Sequence, residues 1–229
     1  MIRYYPDLIQ GSDEWLAARR GLLTASEMNS LLTPTLKQAK NDKRRQHFYE
    51  LLAQRITGYV EPHYISDDML RGQNDELEAR RLYAERYSPI QEMGFITNDK
   101  WGVTIGYSPD GLVDDDGLIE CKSRRQKYQL ETIMTDFLTD DPPDEYMLQL
   151  QTGLLVTERK WLDFVSYSGG LPMVTIRVYP DDQMQDYIVE AARNFENDIQ
   201  ADLERYQRIL ASSRRMIPTE RRVIQEMYL

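Results

Sequence analysis

Apolar positions near the start of the chain recur at helical spacing. In KRRQHFYELLAQRITG they repeat every three or four residues, and Gly58 follows them as the kind of residue that ends a helix. A longer segment begins at SDDML and is predicted to run as one helix to the Ser88-Pro89 break. Upstream, DEWLAARRGLL predicts a short helix stopped at Gly21, and a flexible basic loop is expected around Pro34.

The hydrophobic period changes after residue 88. IQEMGFIT, GVTIGYS and LIECKS are short apolar runs separated by the turn-forming segments NDKW and PDGLVDDDG, so they predict a three-stranded meander. RRQKYQLETIMTDFL and DEYMLQLQTGLLVT return to helical spacing, and WLDFVSYS and MVTIRVY are typical of two further strands. A long amphipathic helix then begins at DDQMQ and is followed by a polar tail to Leu229.

Together these elements predict one mixed α/β domain over residues 1–229, with a central twisted β-sheet flanked by helices. We expect a helical part over residues 1–88, a sheet part over 89–180, and a C-terminal helix and tail over 181–229. The chain has 229 residues, of which 41% are hydrophobic and 29% charged, and this composition is typical of a single globular domain.

The sequence indicates a cytoplasmic protein without membrane contact. Its N-terminus, MIRYYPDLIQGSDEW, lacks the basic and apolar regions of a secretory signal. No run approaches the roughly 18 apolar residues that a membrane helix requires. The single cysteine, Cys121, excludes an internal disulfide framework.

The net charge of −10 argues against a nucleic-acid partner, because phosphate binding depends on Lys and Arg. The charge is uneven, however, since LKQAKNDKRR (36–45) carries five basic residues and one acidic residue, and CKSRRQK (121–127) carries four basic residues and no acidic one. Each segment could be a solvated face. Alternatively, basic segments in an acidic chain form a focused positive surface with a repelling exterior.

Several kinds of site are excluded by the residues present. His47 and His63 are far from any other potential zinc ligands, and a zinc site needs three or four such ligands at close spacing. The glycine-rich phosphate and dinucleotide motifs and the serine nucleophile motif are absent. Any chemistry therefore depends on carboxylates, lysine and a hard cation.

Asp110, Glu120 and Lys122 are the candidates for that chemistry. Asp110 and Glu120 mark the ends of two neighbouring strands, and Glu120 and Lys122 share one strand face because they are two residues apart. Two converging carboxylates repel one another unless a cation such as Mg²⁺ binds between them. Lys122 could orient a water, act as its base if its pKa is depressed, or stabilise negative charge. The alternative is an ordinary turn beside an exposed strand pair.

With these residues assembled, the chain resembles the PD-(D/E)-x-K nuclease superfamily, and within it the phage lambda exonuclease (YqaJ-like viral recombinase) family. The resemblance extends beyond the sheet and keeps the family's order of motifs. The matching blocks are EWLAARRGLLTASEM (14–28), RGQNDELEAR (71–80), GYSPDGLV, IECK and YMLQLQ (146–151). The resemblance implies a restriction-endonuclease-like nuclease core.

The resemblance also implies roles for individual residues around a metal. Asp110 and Glu120 are expected to bind Mg²⁺ together with the backbone carbonyl of Cys121, and Lys122 is the expected catalytic lysine. Glu76 is expected at a second Mg²⁺ or its water, and Mn²⁺ could replace Mg²⁺. Gln149 is expected to steady the site. The superfamily often has a tyrosine four residues after this glutamine, where this chain has glycine.

A 5′-phosphate pocket is also implied, formed by Arg19, Ser26, Ser108 and either Arg124 or Arg125. Physical reasoning supports part of it: Thr24 precedes Glu27 by three residues, as in a capping box, so a second helix is predicted there. Such a helix start presents free N–H groups to an anion. Trp15 is interpreted as a packing residue. The basic loop is expected to contact duplex DNA through the side chains of Lys37, Lys40, Lys43, Arg44 and Arg45.

The function implied is a Mg²⁺-dependent 5′-to-3′ exonuclease of linear double-stranded DNA. It releases 5′-mononucleotides and leaves a 3′ single strand for recombination by annealing, in a bacterial host cell and encoded by a phage or prophage. The resemblance further implies a homotrimeric ring and a phage single-strand annealing protein as partner. Two alternatives stay open: a site- or structure-specific endonuclease of the same superfamily, and a non-enzymatic DNA-end-binding assembly protein.

Overall fold

A computed structural model describes residues 1–62, 66–212 and 214–221 of the chain. His63 and the last eight residues of the predicted tail lie outside the described residues. Within the described part, no helix combines the length and the apolar character needed to cross a membrane.

The helices begin and end at capping residues, among which Gly58 is predicted from the sequence. Ser12 and Asn41 each accept a hydrogen bond from a backbone N–H of the first helical turn, and Gly58 adopts the left-handed conformation (φ 66°) at a helix end. The helices are α1 (Asp13–Arg19), a short 3₁₀ helix (Ala25–Ser30), α2 (Asp42–Thr57), α3 (Asp67–Arg86), α4 (Gln126–Met134), α5 (Asp136–Thr139), α6 (Asp144–Thr157) and α7 (Asp182–Leu210).

The strands form two sheets, with the order β1-β4-β5-β2 in the first sheet and β3-β6-β7-β8-β9 in the second. The mixed α/β fold class with sheets flanked by helices is therefore confirmed, although the predicted meander is divided between the two sheets. The strands are β1 (Ile2–Tyr5), β2 (Leu23–Thr24), β3 (Ile90–Gln91), β4 (Phe95–Asn98), β5 (Ile105–Tyr107), β6 (Gly111–Val113), β7 (Gly117–Ser123), β8 (Trp161–Tyr167) and β9 (Val174–Val178).

The switch between the sheets occurs at Ser108-Pro109-Asp110, between β5 and β6. Proline has no N–H to donate to a strand ladder, so it interrupts pairing at this point. The chain leaves the first sheet after Tyr107 and enters the second at Gly111. The two sheets consequently meet at the segment that carries Asp110.

β7 lies inside the second sheet and is paired along its whole length. It runs antiparallel to β6 and parallel to β8, from the pair Gly117–Trp161 to the pair Ser123–Tyr167. The parallel pairing requires a crossover, which α4, α5 and α6 supply. Any side chain on β7 is therefore held by a rigid element.

The two faces of β7 contact different parts of the core. Leu118 lies in the large core cluster formed with helices α2, α6 and α7. Ile119 and Cys121 point to the opposite face, where a smaller cluster includes Ala79 and Tyr83 of α3. Glu120 and Lys122 belong to the Leu118 face because strand side chains alternate.

Two details of the N-terminal part differ from the predictions. The helix predicted from Thr24 is a 3₁₀ helix of six residues, preceded by strand β2. β2 is only two residues long, and it pairs in parallel with β5, which places Thr24 beside Gly106. β1 (Ile2–Tyr5) pairs with β4 (Phe95–Asn98), which is distant from it in the sequence. Such short strands have no recognisable period, because their stability comes from distant partners.

A hydrogen-bond network around the buried carboxylate of Asp163 joins α3 to the second sheet. Asp163 on β8 accepts two hydrogen bonds from Arg177 on β9, at 2.7 and 2.8 Å, and one from the hydroxyl of Tyr83, at 2.6 Å. Tyr83 is almost fully buried. A buried carboxylate loses stability when one of its donors is removed.

We therefore expect Tyr83→Phe to lower the free energy of unfolding by about 1–3 kcal/mol, because it removes one donor from the buried Asp163. The measurement is urea unfolding followed by circular dichroism. Tyr87→Phe is the matched control, since Tyr87 is mostly exposed and contacts the Tyr83 ring. Equal effects of the two substitutions would contradict a stabilising role for the Tyr83 hydroxyl.

Candidate active site

Glu120 is the central side chain of the site and is 2% exposed. The Tyr107 hydroxyl donates to its Oε2 at 2.7 Å. The Lys122 ammonium donates to its Oε1 at 2.8 Å, and the Gln149 amide donates to the same oxygen. The predicted association of Glu120 with Lys122 and Gln149 is therefore present in the structure. Tyr107 joins them from the first sheet.

Asp110 is fixed to β7 by a backbone hydrogen bond. In the β6–β7 register Gly111 faces Ile119, and extending that register places Pro109 opposite Cys121. The Cys121 N–H donates instead to the Asp110 carboxylate, at 2.6 Å. The side chain thus replaces a ladder partner where the strand ends, and Asp110 is held next to Glu120.

The charges at this site are unbalanced towards the negative. Burial and the nearby Glu120 and Glu76 carboxylates hold the pKa of Asp110 well above its usual range. Burial likewise raises the pKa of Glu76. The Arg80 guanidinium partly opposes this rise, and the Glu120 carboxylate adds to it. A cation would relieve this repulsion.

Lys122 supplies part of the compensating charge. Burial alone would lower the pKa of Lys122, but the Glu120 and Asp110 carboxylates outweigh it and raise that pKa above its usual value. Lys122 is therefore an ammonium in this arrangement. Of the three roles that the sequence left open, the geometry favours orienting a water and stabilising negative charge over acting as a base.

One cavity of about 240 Å³ joins these residues to the predicted phosphate pocket. The carboxylates and Lys122 lie in it together with Arg19, Ser26 and Ser108. The full lining consists of Gln10, Trp15, Arg19, Ala25, Ser26, Glu76, Tyr107, Ser108, Asp110, Glu120, Cys121, Lys122 and Gln149. Residues from four distant parts of the sequence thus share one cavity.

The pocket end of the cavity is built on Arg19. Its guanidinium lies 4.2 Å from the centre of the Trp15 ring and donates to Ser108 Oγ at 3.4 Å and to Thr24 Oγ1 at 3.1 Å. The Ser26 hydroxyl is 3.3 Å from Thr24 Oγ1. Burial lowers the pKa of Arg19, and Glu27 opposes that effect. A side-chain cluster with a guanidinium and several hydroxyls can bind a phosphate.

The backbone contributes less to this pocket than predicted. The Thr24 N–H does donate to Glu27 Oε2, at 3.0 Å, so the reciprocal half of the predicted capping box is present. The element that follows, however, has six residues and 3₁₀ geometry, so its dipole is short. The anion-binding capacity rests on the Arg19 and hydroxyl side chains.

Trp15 has a larger part than the packing role expected for it. Its indole N–H donates to Ser108 Oγ at 3.0 Å and to the carbonyl of Gly94 at 3.2 Å, while its ring carries Arg19. Trp15 and Arg19 are four residues apart on α1, a spacing at which helical side chains meet. That spacing could have indicated the stacked pair, whereas the contact with Ser108 has no local signal.

The two arginines after Lys122 lie outside this cavity. Arg124 is paired with Glu145 and donates to the Tyr146 hydroxyl oxygen at 2.7 Å, and Arg125 donates to Asp68 at 2.7 Å. Both line an adjoining groove of about 450 Å³. The structure therefore does not bring either one together with Arg19, and their assignment to the 5′-phosphate stays a prediction.

The basic segment is likewise separate from the cavity. Arg44 pairs with Asp198 of α7 at 2.8 Å, and together with Lys40 and Arg45 it lines a cleft of about 910 Å³. Lys37 and Lys43 are exposed. Because α2 begins at Asp42, the second half of the segment is helical and not loop. Contact with DNA stays a prediction for the whole segment.

The residues present fit Mg²⁺, which keeps several waters, better than they fit a metal ion whose ligands all come from the protein. Across residues 1–62, 66–212 and 214–221, no three His, Cys, Asp or Glu side chains form a ready-made metal cluster. Mg²⁺ is usually bound through one or two carboxylates and keeps several waters. Asp110 and Glu120 supply that donor set in the cavity, and Cys121, whose N–H donates to Asp110, follows Glu120 on β7.

Residues 14–160 match the model of the YqaJ-like viral recombinase domain. The chain belongs to this family. The matched region contains every residue assigned here to the cavity except Gln10. No match was found among curated proteins.

Solved structures agree with the YqaJ-like assignment. An alkaline exonuclease from Laribacter hongkongensis, LHK-Exo, is 34% identical with a TM-score of 0.76, covering 87% of this chain and 98% of its own. Its complex with dAMP is 35% identical with a TM-score of 0.77 and the same coverage. A phage-related exonuclease from Haemophilus somnus 129PT shares the fold, at 14% identity and a TM-score of 0.54, covering 80% of this chain and 96% of its own.

We expect Lys122→Arg to lower the rate of DNA hydrolysis on the order of 100-fold, because the wider guanidinium cannot replace the ammonium beside Glu120. The measurement is release of acid-soluble nucleotides from linear duplex. Lys127→Arg is the matched control. The Lys122 ammonium lies 5.5 Å from the centre of the Tyr146 ring and that of Lys127 lies 4.4 Å from the centre of the Tyr128 ring, but Lys127 is exposed. A near-normal rate for Lys122→Arg would reduce Lys122 to a simple counter-charge.

Proposed function

We propose that this deoxyribonuclease of the YqaJ-like family removes nucleotides from the 5′ ends of linear double-stranded DNA and depends on Mg²⁺. The observation that carries the proposal is the single cavity shared by Arg19, Ser108 and the carboxylates Asp110 and Glu120. Because a binding site for a terminal phosphate and a hydrolytic centre share one cavity, the arrangement favours cleavage at the end of a strand.

The spacing of the two parts supports removal of one nucleotide at a time. Ser108, which Arg19 contacts, is only two residues before Asp110. A phosphate held by Arg19 would therefore lie within about one nucleotide of the carboxylates. LHK-Exo has been crystallised with dAMP, a single nucleotide, and this supports a ligand of that size for the related cavity here. The proposed products are 5′-mononucleotides and a 3′ single strand.

The residues of the chain have separable roles in the proposed reaction. Arg19, Ser26 and Ser108 bind the terminal phosphate and thereby place the next phosphodiester against the carboxylates. Lys122 orients the attacking water and stabilises negative charge on the phosphate. Asp110 and Glu120 would hold Mg²⁺, which would supply Lewis-acid charge for the phosphodiester and favour ionisation of the water. We keep Glu76 as the residue that would serve a second Mg²⁺.

The wider setting of the reaction rests on the family resemblance alone. We propose a homotrimeric ring around duplex DNA, with the basic segment 36–45 towards the DNA and the net charge of −10 concentrated outside. A phage single-strand annealing protein would take the 3′ strand. The protein would act in the cytoplasm of a bacterial host, encoded by a phage or prophage.

We expect hydrolysis to require Mg²⁺ or Mn²⁺ and to stop in excess EDTA. Asp110→Asn should abolish it, because the substitution removes one carboxylate charge from the metal site while the amide oxygen can still accept the Cys121 N–H. Asp115→Asn is the control, since Asp115 is exposed and lies in the turn between β6 and β7. The measurements are nucleotide release and circular dichroism. Digestion that persists in EDTA would remove the metal from the proposal.

We expect linear duplex with 5′-phosphates to be digested faster than the same duplex with 5′-hydroxyls, because a terminal phosphate carries more charge than a diester. Arg19→Ala should reduce that preference by about 10- to 150-fold, the effect of a hydrogen bond to a charged group. Rates on end-labelled duplexes measure it. Arg20→Ala is the matched control: Arg20 is exposed and donates to the carbonyl of Gly58 at 2.8 Å.

Closed circular duplex distinguishes the proposal from its main alternative. An exonuclease leaves the circle intact, whereas an endonuclease of the same superfamily cuts circular and linear DNA alike. Equal digestion of phosphorylated and hydroxylated ends, together with no effect of Arg19→Ala, would contradict the 5′-phosphate pocket.

A further inference from the structure

Tyr107 and Gly153 form one packing unit beside Glu120. Tyr107 ends β5 and is 1% exposed, and its ring lies against α6 at Gly153. A Cβ at position 153 would be 2.8 Å from the ring carbon that bears the hydroxyl, and 3.0 and 3.2 Å from that carbon's two neighbours. Ordinary carbon contacts are about 3.5–4.0 Å. The ring can occupy this place only because residue 153 has no side chain.

The glycine is not explained by the helix that contains it. Gly153 is in the interior of α6, away from both ends. Glycine at such a position weakens a helix relative to alanine, since it loses more conformational freedom on folding. The space that the glycine leaves is filled by the Tyr107 ring, and the hydroxyl of that ring reaches Glu120.

The hydroxyl holds an oxygen that the neighbouring donors leave free. Lys122 and Gln149 both donate to Oε1 of Glu120, whereas Tyr107 donates to Oε2. The last torsion of a glutamate side chain is soft and broad, so contacts to one oxygen do not fix the other. The contact from Tyr107 removes that rotation. Hydrogen bonds of this kind orient carboxylates that bind metals.

We infer that Tyr107 is a positioning residue that sets the rotation of the Glu120 carboxylate, and that Gly153 is required to admit its ring. The inference rests on the proposed metal-dependent hydrolysis, since it gives Glu120 a metal to bind. Tyr107 itself touches neither substrate nor metal and acts through Glu120. Position 153 thereby becomes part of the active site, although it has no side chain.

The first test compares Tyr107→Phe with Tyr83→Phe. Both remove the hydroxyl of a buried tyrosine that donates to a buried carboxylate, at 2.7 and 2.6 Å respectively, but Tyr83 does not line the cavity. We expect Tyr107→Phe to lower kcat, or the affinity for Mn²⁺ measured by calorimetry without DNA, by about 10- to 100-fold. KM for linear duplex should stay near the wild-type value. Tyr83→Phe should lower the urea midpoint and leave kcat and Mn²⁺ affinity unchanged.

The second test adds Gly153→Ala, alone and combined with Tyr107→Phe. The new methyl group must displace the hydroxyl end of the ring by roughly 0.7 Å to reach an ordinary contact distance. The loss in kcat should resemble that of Tyr107→Phe. In the double variant the losses should not add, because both changes break the same hydrogen bond. Tyr107→Phe tests the inference independently if Gly153→Ala fails to fold.

Contrary outcomes are distinguishable. Unchanged kcat and Mn²⁺ affinity in Tyr107→Phe, with only stability reduced, would overturn the inference and leave Tyr107 as a core residue. Additive losses in the double variant would overturn the link between Tyr107 and Gly153. Wild-type protein that digests no DNA would refute the proposed function, and the Mn²⁺ affinities would then decide the inference by themselves.

Discussion

A carboxylate buried at the end of a central strand is the constraint on which this structure depends. Glu120 is nearly inaccessible to water, and an unpaired charge in that position would be strongly destabilising. Its partners come from β5, α6 and β7 itself, through Tyr107, Gln149 and Lys122. The first sheet and the crossover helix must therefore dock against β7 in one relative placement. Satisfying one charge fixes how the layers of the molecule assemble.

Three consecutive residues, Ser108-Pro109-Asp110, concentrate much of the function. Pro109 ends the pairing in one sheet, and Asp110 completes the ladder of the other through the Cys121 N–H. Ser108 connects Asp110 to Arg19 and Trp15. The change of sheet is thus the reason that a phosphate-binding cluster and a pair of carboxylates share one cavity. A continuous hairpin would have separated them.

The parts of the site that follow from local pattern could be predicted from the sequence, and those made by distant contacts could not. Glu120 and Lys122 share a face because strands alternate, and the helix ends follow from residues such as Gly58. The Trp15–Ser108 contact spans 93 residues. Tyr107 has no sequence feature that distinguishes it from other buried strand residues. Tertiary packing, which has no period in the sequence, decides both. Family resemblance supplied Arg19 and Gln149, where pattern alone gave no reason to select them.

The parallel pairing of β7 with β8 has a consequence for how the molecule can be divided. The region that matches the family ends at residue 160, and β8 begins at Trp161. A fragment cut at the end of that region would keep every residue of the cavity except Gln10 if it also began at residue 14. It would nevertheless leave the strand that carries Glu120 with an unpaired edge, and such edges promote aggregation. The smallest unit able to keep the carboxylates in place therefore extends at least through Tyr167, beyond the last residue that matches the family model.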